Sequence, residues 1–185
     1  MNVIWPTPVK ELPDGYFTHL DIMNYRNLAV AIPSGGSTVE VGCFRGRSLC
    51  CLHDIIKARD IRVTAVDLWA LTGNTQGIPN ADNLAIFKQN LERFDLTKHV
   101  RIVQGKSAES AAMFADQSLD MAFIDADHSY ESVKADILAY LPKIRAGGII
   151  AGHDYGYQGW DGVKQAVDEI FGQLPCYGVW FKRKE

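Results

Sequence analysis

The stretch Glu40-Val41-Gly42-Cys43-Phe44-Arg45-Gly46-Arg47-Ser48 joins a short apolar run to an amphipathic segment. Gly42 and Gly46 let the backbone turn tightly and approach a ligand without an obstructing side chain. Ser48 is a good N-terminal cap for the helix expected to follow. The spacing acid-x-Gly-x-x-x-Gly-x-Ser is not Gly-x-Gly-x-x-Gly, so the loop alone fits either a nucleotide-type cofactor site or a plain strand–helix turn.

Apolar runs alternate with amphipathic segments along the rest of the chain. Most runs are continuous rather than alternating, which is typical of strands covered on both faces. We predict strands at 38–41, 61–66, 100–103, 119–124, 148–151 and 177–181. We predict helices at 16–32, 48–59, 81–94, 107–115, 130–144 and 162–171. The sequence therefore predicts an α/β, Rossmann-like, doubly wound fold, whose mostly parallel sheet of six or seven strands has helices on both faces.

Length and composition fit one globular domain. The chain has 185 residues, with 47% hydrophobic and 22% charged residues and a formal net charge of −3. We expect a single domain over 1–185, with a lead-in and helix at 1–36 and a cofactor-binding core at 37–185. The charge favours neither nucleic acid nor membrane as a partner. Without a signal-peptide pattern or a disulfide framework, we expect a cytoplasmic protein with buried free thiols at four positions: Cys43, Cys50, Cys51 and Cys176.

Polar residues follow the predicted strands, and in such sheets ligands bind beyond the carboxyl ends of the strands. Asp67 ends the second strand, 21 residues after Gly46, close to the interval of an acid that binds ribose hydroxyls. A helix-capping or solvated Asp67 is the alternative. Ser107 follows the third strand, where it fits a contact with an adenine edge and fits a helix cap equally well.

Acids and histidines follow the fourth and fifth strands. Asp125, Asp127 and His128 lie within four residues, and His153 with Asp154 ends the next buried run. We expect Asp125, His153 and Asp154 to converge on one divalent cation, Mg²⁺ or Mn²⁺, with imidazole shifting the preference toward a transition metal. The alternative is that Asp125 and His153 pair with each other or hold backbone groups.

Together these motifs resemble the class I S-adenosylmethionine-dependent methyltransferases, from about Thr38 to the end of the chain. The segments IDADHSYESV and GGIIAGHDY are similar to the metal-assisted O-methyltransferase branch, which includes catechol, caffeoyl-coenzyme A and macrocin-type enzymes. The resemblance implies an S-adenosylmethionine site formed by Glu40, Gly42, Gly46, Ser48, Asp67, Leu68, Ser107, Ala108 and Asp125.

The resemblance also implies roles in catalysis. His128 is at the position of a lysine general base, and Asp125 stands beside the methionine amino group or the metal. His153 stands where that branch has an aspartate, which removes one negative charge from an Mg²⁺ site. We therefore expect methylation of a hydroxyl on a small molecule, with Asp127 able to orient His128. The alternatives are a nicotinamide-dependent oxidoreductase and a non-catalytic binding module of methyltransferase-like fold.

Three further expectations concern the surroundings of the site. Residues 69–80 form a long loop with two glycines, which fits a mobile lid or a static surface connection equally. The aromatic residues Tyr155, Tyr157 and Trp160 fit either a stacking surface for a flat or sugar-like acceptor or a packed loop. The sequence leaves open whether the N-terminal helix caps the acceptor pocket or is exchanged between the subunits of a homodimer.

Overall fold

The computed structural model describes residues 12–69 and 82–185. Within them, helices alternate with strands in the order that the sequence predicts. The helices are α1 (His19–Ala29), α2 (Arg47–Cys50), α3 (His53–Arg59), α4 (Asn83–Arg93), α5 (Ser107–Ser110), α6 (Tyr130–Tyr140) and α7 (Asp161–Phe171). The strands are β1 (Ser37–Val41), β2 (Arg62–Asp67), β3 (Val100–Gln104), β4 (Leu119–Ile124), β5 (Ile144–Tyr155) and β6 (Gly178–Arg183).

The described strands form one sheet in the order β3-β2-β1-β4-β5-β6. The first five are mutually parallel, and β6 pairs antiparallel with β5. The chain runs outward from β1 in one direction and returns at β4 to build the other half. The switch point between β1 and β4 is where such folds bind ligands. The doubly wound α/β prediction is confirmed, with six strands in the described part of the chain.

Two apolar layers cover the sheet. Met121 and Phe123 of β4 face the layer that contains α1 to α4, whereas Ala122 and Ile124 face the layer that contains α6 and α7. This alternation has the period of two expected of a strand. Because apolar side chains leave both faces, the part of β4 from Met121 to Ile124 is continuously apolar rather than alternating.

The differences from the predicted elements are local. The segment 48–59 forms two helices, α2 and α3, rather than one. The strand at 148–151 extends over Ile144–Tyr155, because the polar residues at its end are buried in the strand. Cys43, Cys50 and Cys51 are buried free thiols as expected, but Cys176 is only half-buried. No helix among the described residues is long and apolar enough to cross a membrane.

Candidate active site

Gly42 brings the end of β1 against the end of β4. Its backbone has a φ of +85°, and a Cβ placed there would lie 1.9 Å from the backbone oxygen of Asp125. Its N–H donates to the carbonyl of Val66 at 2.8 Å, which ties in the end of β2 as well. Only glycine fits this position, because a side chain would occupy the space of the neighbouring backbone.

Glu40 is a buried carboxyl beneath this loop. Its Oε2 accepts a hydrogen bond from the Tyr25 hydroxyl at 2.8 Å, and its Oε1 accepts one from the Ser48 hydroxyl at 2.6 Å. Burial raises the pKa of Glu40 to about 7, although both hydroxyls favour its charged form. Ser48 is therefore not the helix cap that the sequence suggested: Gly46 occupies the N-cap of α2, with a φ of +82°.

Asp67 fastens the glycine-rich loop to the end of β2. Its Oδ2 accepts a hydrogen bond from the N–H of Phe44 at 2.8 Å, and its Oδ1 accepts one from the N–H of Trp69 at 2.6 Å. The Trp69 indole closes the arrangement by donating to the carbonyl of Phe44 at 2.8 Å. Each oxygen keeps a further lone pair, so this fixed, half-buried carboxylate can still accept hydrogen bonds from hydroxyl groups of a ligand.

Leu68, Ser107 and Ala108 lie beyond the ends of β2 and β3. Leu68 is 49% exposed, which leaves an apolar surface beside Asp67. Ser107 and Ala108 are half-buried. Lys106, not Ser107, is the N-cap residue of α5, and no side-chain capping bond forms there. The capping alternative for Ser107 is therefore not realised.

Asp125, His128, His153 and Asp154 converge at the ends of β4 and β5. His128 Nε2 lies 2.8 Å from Asp154 Oδ2 and 3.7 Å from Asp125 Oδ1. His153 Nδ1 lies 3.2 Å from Asp154 Oδ2 and 3.7 Å from Asp125 Oδ1. Two imidazoles thus face the same two carboxylates. Asp154 has a left-handed φ of +64°, a conformation that aspartate tolerates better than most residues.

The charges of this cluster are interdependent. Burial disfavours the imidazolium of both histidines, but the facing carboxylates outweigh it and raise the pKa of His128 to about 9 and that of His153 to about 10. Burial also opposes ionisation of Asp154, yet the two imidazoles hold its pKa well below its usual value. The pKa of Asp125 is raised, chiefly by burial. The two facing carboxylates therefore favour the protonated form of both histidines.

The donor set fits a divalent cation. One ligand atom from each of Asp125, His128 and Asp154 lies within 4.8 Å of the other two. The buried Nε2 of His128 completes no hydrogen bond of normal geometry within the described residues. The sequence assigned His153 rather than His128 to this set, and the structure brings both imidazoles to the two carboxylates.

Asp21 of α1 is a site residue that the sequence reasoning missed. It is fully buried, and its Oδ2 lies 3.2 Å from His153 Nε2. It accepts hydrogen bonds from the Tyr157 hydroxyl at 3.1 and 3.2 Å and completes a capping box with Thr18. The Thr-x-x-Asp spacing was visible in the sequence, but the contact with His153 was not.

Aromatic rings fix the two imidazoles. Phe17 stacks on His153 at a centroid distance of 4.5 Å, and Trp160 lies 4.3 Å from the His128 ring. Asp127 does not orient His128; its Oδ1 accepts the N–H of Ser129 at 2.7 Å. The orienting groups are instead Asp154 and Trp160.

The segment 70–81, which contains nearly all of the expected lid, lies outside the described residues.

Comparison with known proteins agrees with this geometry. Residues 39–155 match the family described as a methyltransferase domain. The chain belongs to the methyltransferase domain family. The match runs from β1 to the end of β5 and thus includes every strand end described above. The methyltransferase prediction, with S-adenosylmethionine as the methyl donor, is confirmed, and neither the oxidoreductase nor the non-catalytic alternative has support.

The similarity to individual known proteins covers most of this chain. An uncharacterised protein, R132, of Acanthamoeba polyphaga mimivirus is 26% identical over 173 residues, which cover 90% of this methyltransferase and 73% of that protein. A Staphylococcus aureus protein provisionally assigned as a caffeoyl-CoA O-methyltransferase has a TM-score of 0.70 at 21% identity, over 96% of this chain and 88% of that one.

Two further solved structures share the fold. The cofactor-bound protein Rv0187 from MTB has a TM-score of 0.69 at 18% identity, covering 92% of this chain and 82% of that one. The TDP-rhamnose 3'-O-methyltransferase CalS11 of calicheamicin biosynthesis has a TM-score of 0.64 at 20% identity, covering 89% and 77%. At these identities the likeness establishes the fold of this methyltransferase and not its acceptor.

Proposed function

We propose that this methyltransferase transfers the methyl group of S-adenosylmethionine to a hydroxyl oxygen of a small molecule. The observation that carries the proposal is the convergence of Asp125, His128 and Asp154 beyond the glycine-rich loop. A base and paired carboxylates at the switch point are suited to removing a proton from a hydroxyl acceptor. Solved proteins of the same fold that are described as O-methyltransferases support an oxygen acceptor.

In this proposal the cofactor lies across the ends of β1, β2 and β3. Asp67 accepts the ribose hydroxyls, while its two backbone donors hold the carboxylate in place. Adenine lies on the exposed face of Leu68 and meets Ser107 and Ala108 at its edge. The methionine portion lies over Gly42 and the rest of the loop, with Glu40, Gly46, Ser48 and Asp125 beside it.

During transfer the bond from sulfur to the methyl carbon breaks as a bond to the acceptor oxygen forms. The products are S-adenosylhomocysteine and the methyl ether, and the hydroxyl proton passes to His128 Nε2. This nitrogen faces the carboxylates of Asp154, at 2.8 Å, and Asp125, at 3.7 Å, which hold the imidazole at the strand ends. His128 accepts this proton in its neutral form, which the carboxylates of Asp125 and Asp154 disfavour by raising its pKa.

Asp125, Asp154 and His153 are the residues that we propose to hold a divalent cation. A bound cation supplies positive charge that offsets the two carboxylates and lowers the pKa of a coordinated hydroxyl. This arrangement leaves His128 free as the base, whereas a cation held by His128 Nε2 would occupy the nitrogen that must accept the proton. The imidazole in the set favours Mn²⁺ or a later transition metal over Mg²⁺.

Calorimetric titration with S-adenosylhomocysteine, with and without Mn²⁺ or Mg²⁺, tests the cofactor site. We expect binding by the wild-type protein and at least about tenfold weaker binding by Asp67→Ala, which loses charge-assisted hydrogen bonds. Release of S-adenosylhomocysteine in the presence of catechol or a nucleotide sugar tests oxygen transfer. Absence of binding under every condition would contradict the proposal.

A pair of matched variants separates the base from the metal ligand. His153→Gln is expected to weaken Mn²⁺ binding, measured by electron paramagnetic resonance, because it removes a ligand. His128→Gln is expected to keep Mn²⁺ affinity and lower turnover by about 10²–10⁴-fold, the usual contribution of a general base. The reverse pattern would assign the cation to His128 and exclude His128 as the base.

A further inference from the structure

Phe44, Asp67 and Trp69 form a closed triangle of hydrogen bonds at the ribose end of the proposed cofactor site. The two oxygens of Asp67 accept the backbone N–H groups of Phe44 and Trp69, at 2.8 and 2.6 Å. The indole Nε1 of Trp69 donates to the backbone carbonyl of Phe44 at 2.8 Å and completes the triangle. Each of the three residues is therefore bonded to both of the others, and Phe44 is held at its N–H and at its carbonyl.

Two members of the triangle have a backbone conformation that bulky residues rarely adopt. The φ of Phe44 is +46° and that of Trp69 is +45°, both in the left-handed region. Residues in this conformation persist only where the surrounding structure imposes it, and they are concentrated at active sites and ligand sites. The triangle imposes it here, because it engages both polar backbone groups of Phe44 and the N–H of Trp69.

The indole N–H of Trp69 has a part in this arrangement that packing does not explain. The residue is 7% exposed, and its ring lies at a centroid distance of 5.0 Å from the Phe87 ring. A phenyl ring would make the same kind of contact with Phe87, but only the indole carries the N–H that reaches the Phe44 carbonyl. This bond keeps Phe44 in its left-handed conformation, in which the Phe44 N–H is directed at Asp67.

We propose that Trp69 is a positioning residue that makes the cofactor site selective for a ribose with both hydroxyls, by fixing the Asp67 carboxylate through the backbone of Phe44. The inference rests on the proposed function, which places the ribose hydroxyls at Asp67. Trp69 acts through Phe44 and Asp67 and does not need to touch the cofactor.

The selectivity follows from the acceptor directions of a carboxylate. Each carboxylate oxygen has about two lone-pair directions. At each oxygen of Asp67 a backbone N–H takes one direction, so the other is fixed in space and meets one of two neighbouring hydroxyls. A ribose that lacks one hydroxyl leaves an oxygen of this charged group without its partner, which lowers affinity. Without the indole bond, Phe44 can leave the left-handed region and the carboxylate can turn, so a missing hydroxyl costs less.

The experiment is calorimetric titration with S-adenosylhomocysteine and with its 2′-deoxy and 3′-deoxy analogues. For the wild-type protein we expect a preference of about 10–100-fold over either analogue, the range of one hydrogen bond to a charged group. Trp69→Phe keeps an aromatic ring against Phe87 and removes the N–H, so the preference should fall to about threefold or less.

Asn90→Leu is the matched control. The Nδ2 of Asn90 donates to the backbone carbonyl of Arg45 at 2.9 Å, so it also ties down the glycine-rich loop, one residue beyond Phe44. Because Asn90 is not part of the triangle, Asn90→Leu should keep the wild-type preference even if it lowers the unfolding temperature measured by circular dichroism. A Trp69 that only supported the fold would, on replacement, weaken the binding of all three ligands equally and leave their ratio unchanged.

The outcomes distinguish this inference from the proposed function. If the wild-type protein binds none of the three ligands, the proposed function fails. If it binds S-adenosylhomocysteine without preference, if Trp69→Phe keeps the full preference, or if Asn90→Leu loses as much of it, the role of Trp69 is refuted. Should Trp69→Phe not fold, Asp67→Glu keeps the charge but moves the carboxylate out of the triangle by one methylene and is expected to abolish the preference; an unchanged preference in that variant refutes the inference equally.

Discussion

Replacing Gly42 with alanine tests whether the cofactor site requires the backbones of β1 and β4 to touch. The new Cβ would lie 1.9 Å from the backbone oxygen of Asp125 and 2.7 Å from the Cα of Ala126, whereas ordinary contact begins near 3.4 Å. The two strand ends would therefore have to separate by about 1.5 Å, because neither neighbour is a flexible side chain. Asp125, which we place at the centre of the chemistry, would move with its backbone.

The expected loss of stability has two parts. A left-handed φ of +85° costs an alanine about 1–2 kcal/mol, and forcing extra volume into a packed region adds about 1–3 kcal/mol. At about 2–4 °C per kcal/mol for a chain of this size, the midpoint of thermal unfolding should fall by roughly 5–15 °C. Gly35→Ala is the matched control, because Gly35 has a φ of +73° and no atom within 4 Å of its Cβ position.

Circular dichroism on heating and calorimetry with S-adenosylhomocysteine measure the two consequences. Gly35→Ala should lose only the backbone part, about 1–2 kcal/mol, and bind the product as the wild type does. Gly42→Ala should lose more stability and bind at least about tenfold more weakly, because a shift near 1 Å in a positioned group has large effects on a site. Equal unfolding midpoints for the two variants, with unchanged binding, would refute the reasoning.

Two further predictions concern buried carboxyls. Glu40 has its pKa raised to about 7, so it remains protonated in the folded protein while the unfolded chain ionises; the contribution of Glu40 to wild-type stability should therefore fall by about 3 kcal/mol as pH rises from about 4.5 to 7, and this contribution should stay level above. Urea unfolding of Glu40→Gln should lack that fall, and parallel pH curves would contradict the assignment. Asp21→Asn should weaken Mn²⁺ binding by about 10–100-fold, because an outer carboxylate orients the ligand His153. Thr18→Ala, which breaks the same capping box but keeps the carboxylate, should bind Mn²⁺ normally; equal losses in both variants would show that the helix cap alone matters.

Local patterns were sufficient for the sheet. The run at 119–124, apolar except for Asp120, predicted β4 with its observed bounds, because a strand covered on both faces shows its burial directly in its composition. The end of β5 was missed because His153 and Asp154 are polar, and a periodicity of apolar residues cannot register polar residues that are buried in a strand. The same limit applies to Asp136, a charged residue on the buried side of α6.

The sequence by itself determined the alternation of strands and helices and the placement of Asp67, Asp125 and His128 at strand ends. These features depend on spacing along the chain, and parallel strands necessarily bring their carboxyl ends to one edge of the sheet. The tertiary structure alone decided which groups meet there. Asp21 accepts a hydrogen bond from Tyr157 across 136 residues of sequence, because α1 packs over the end of the completed sheet, and no local pattern encodes a contact that forms only when distant segments close on each other.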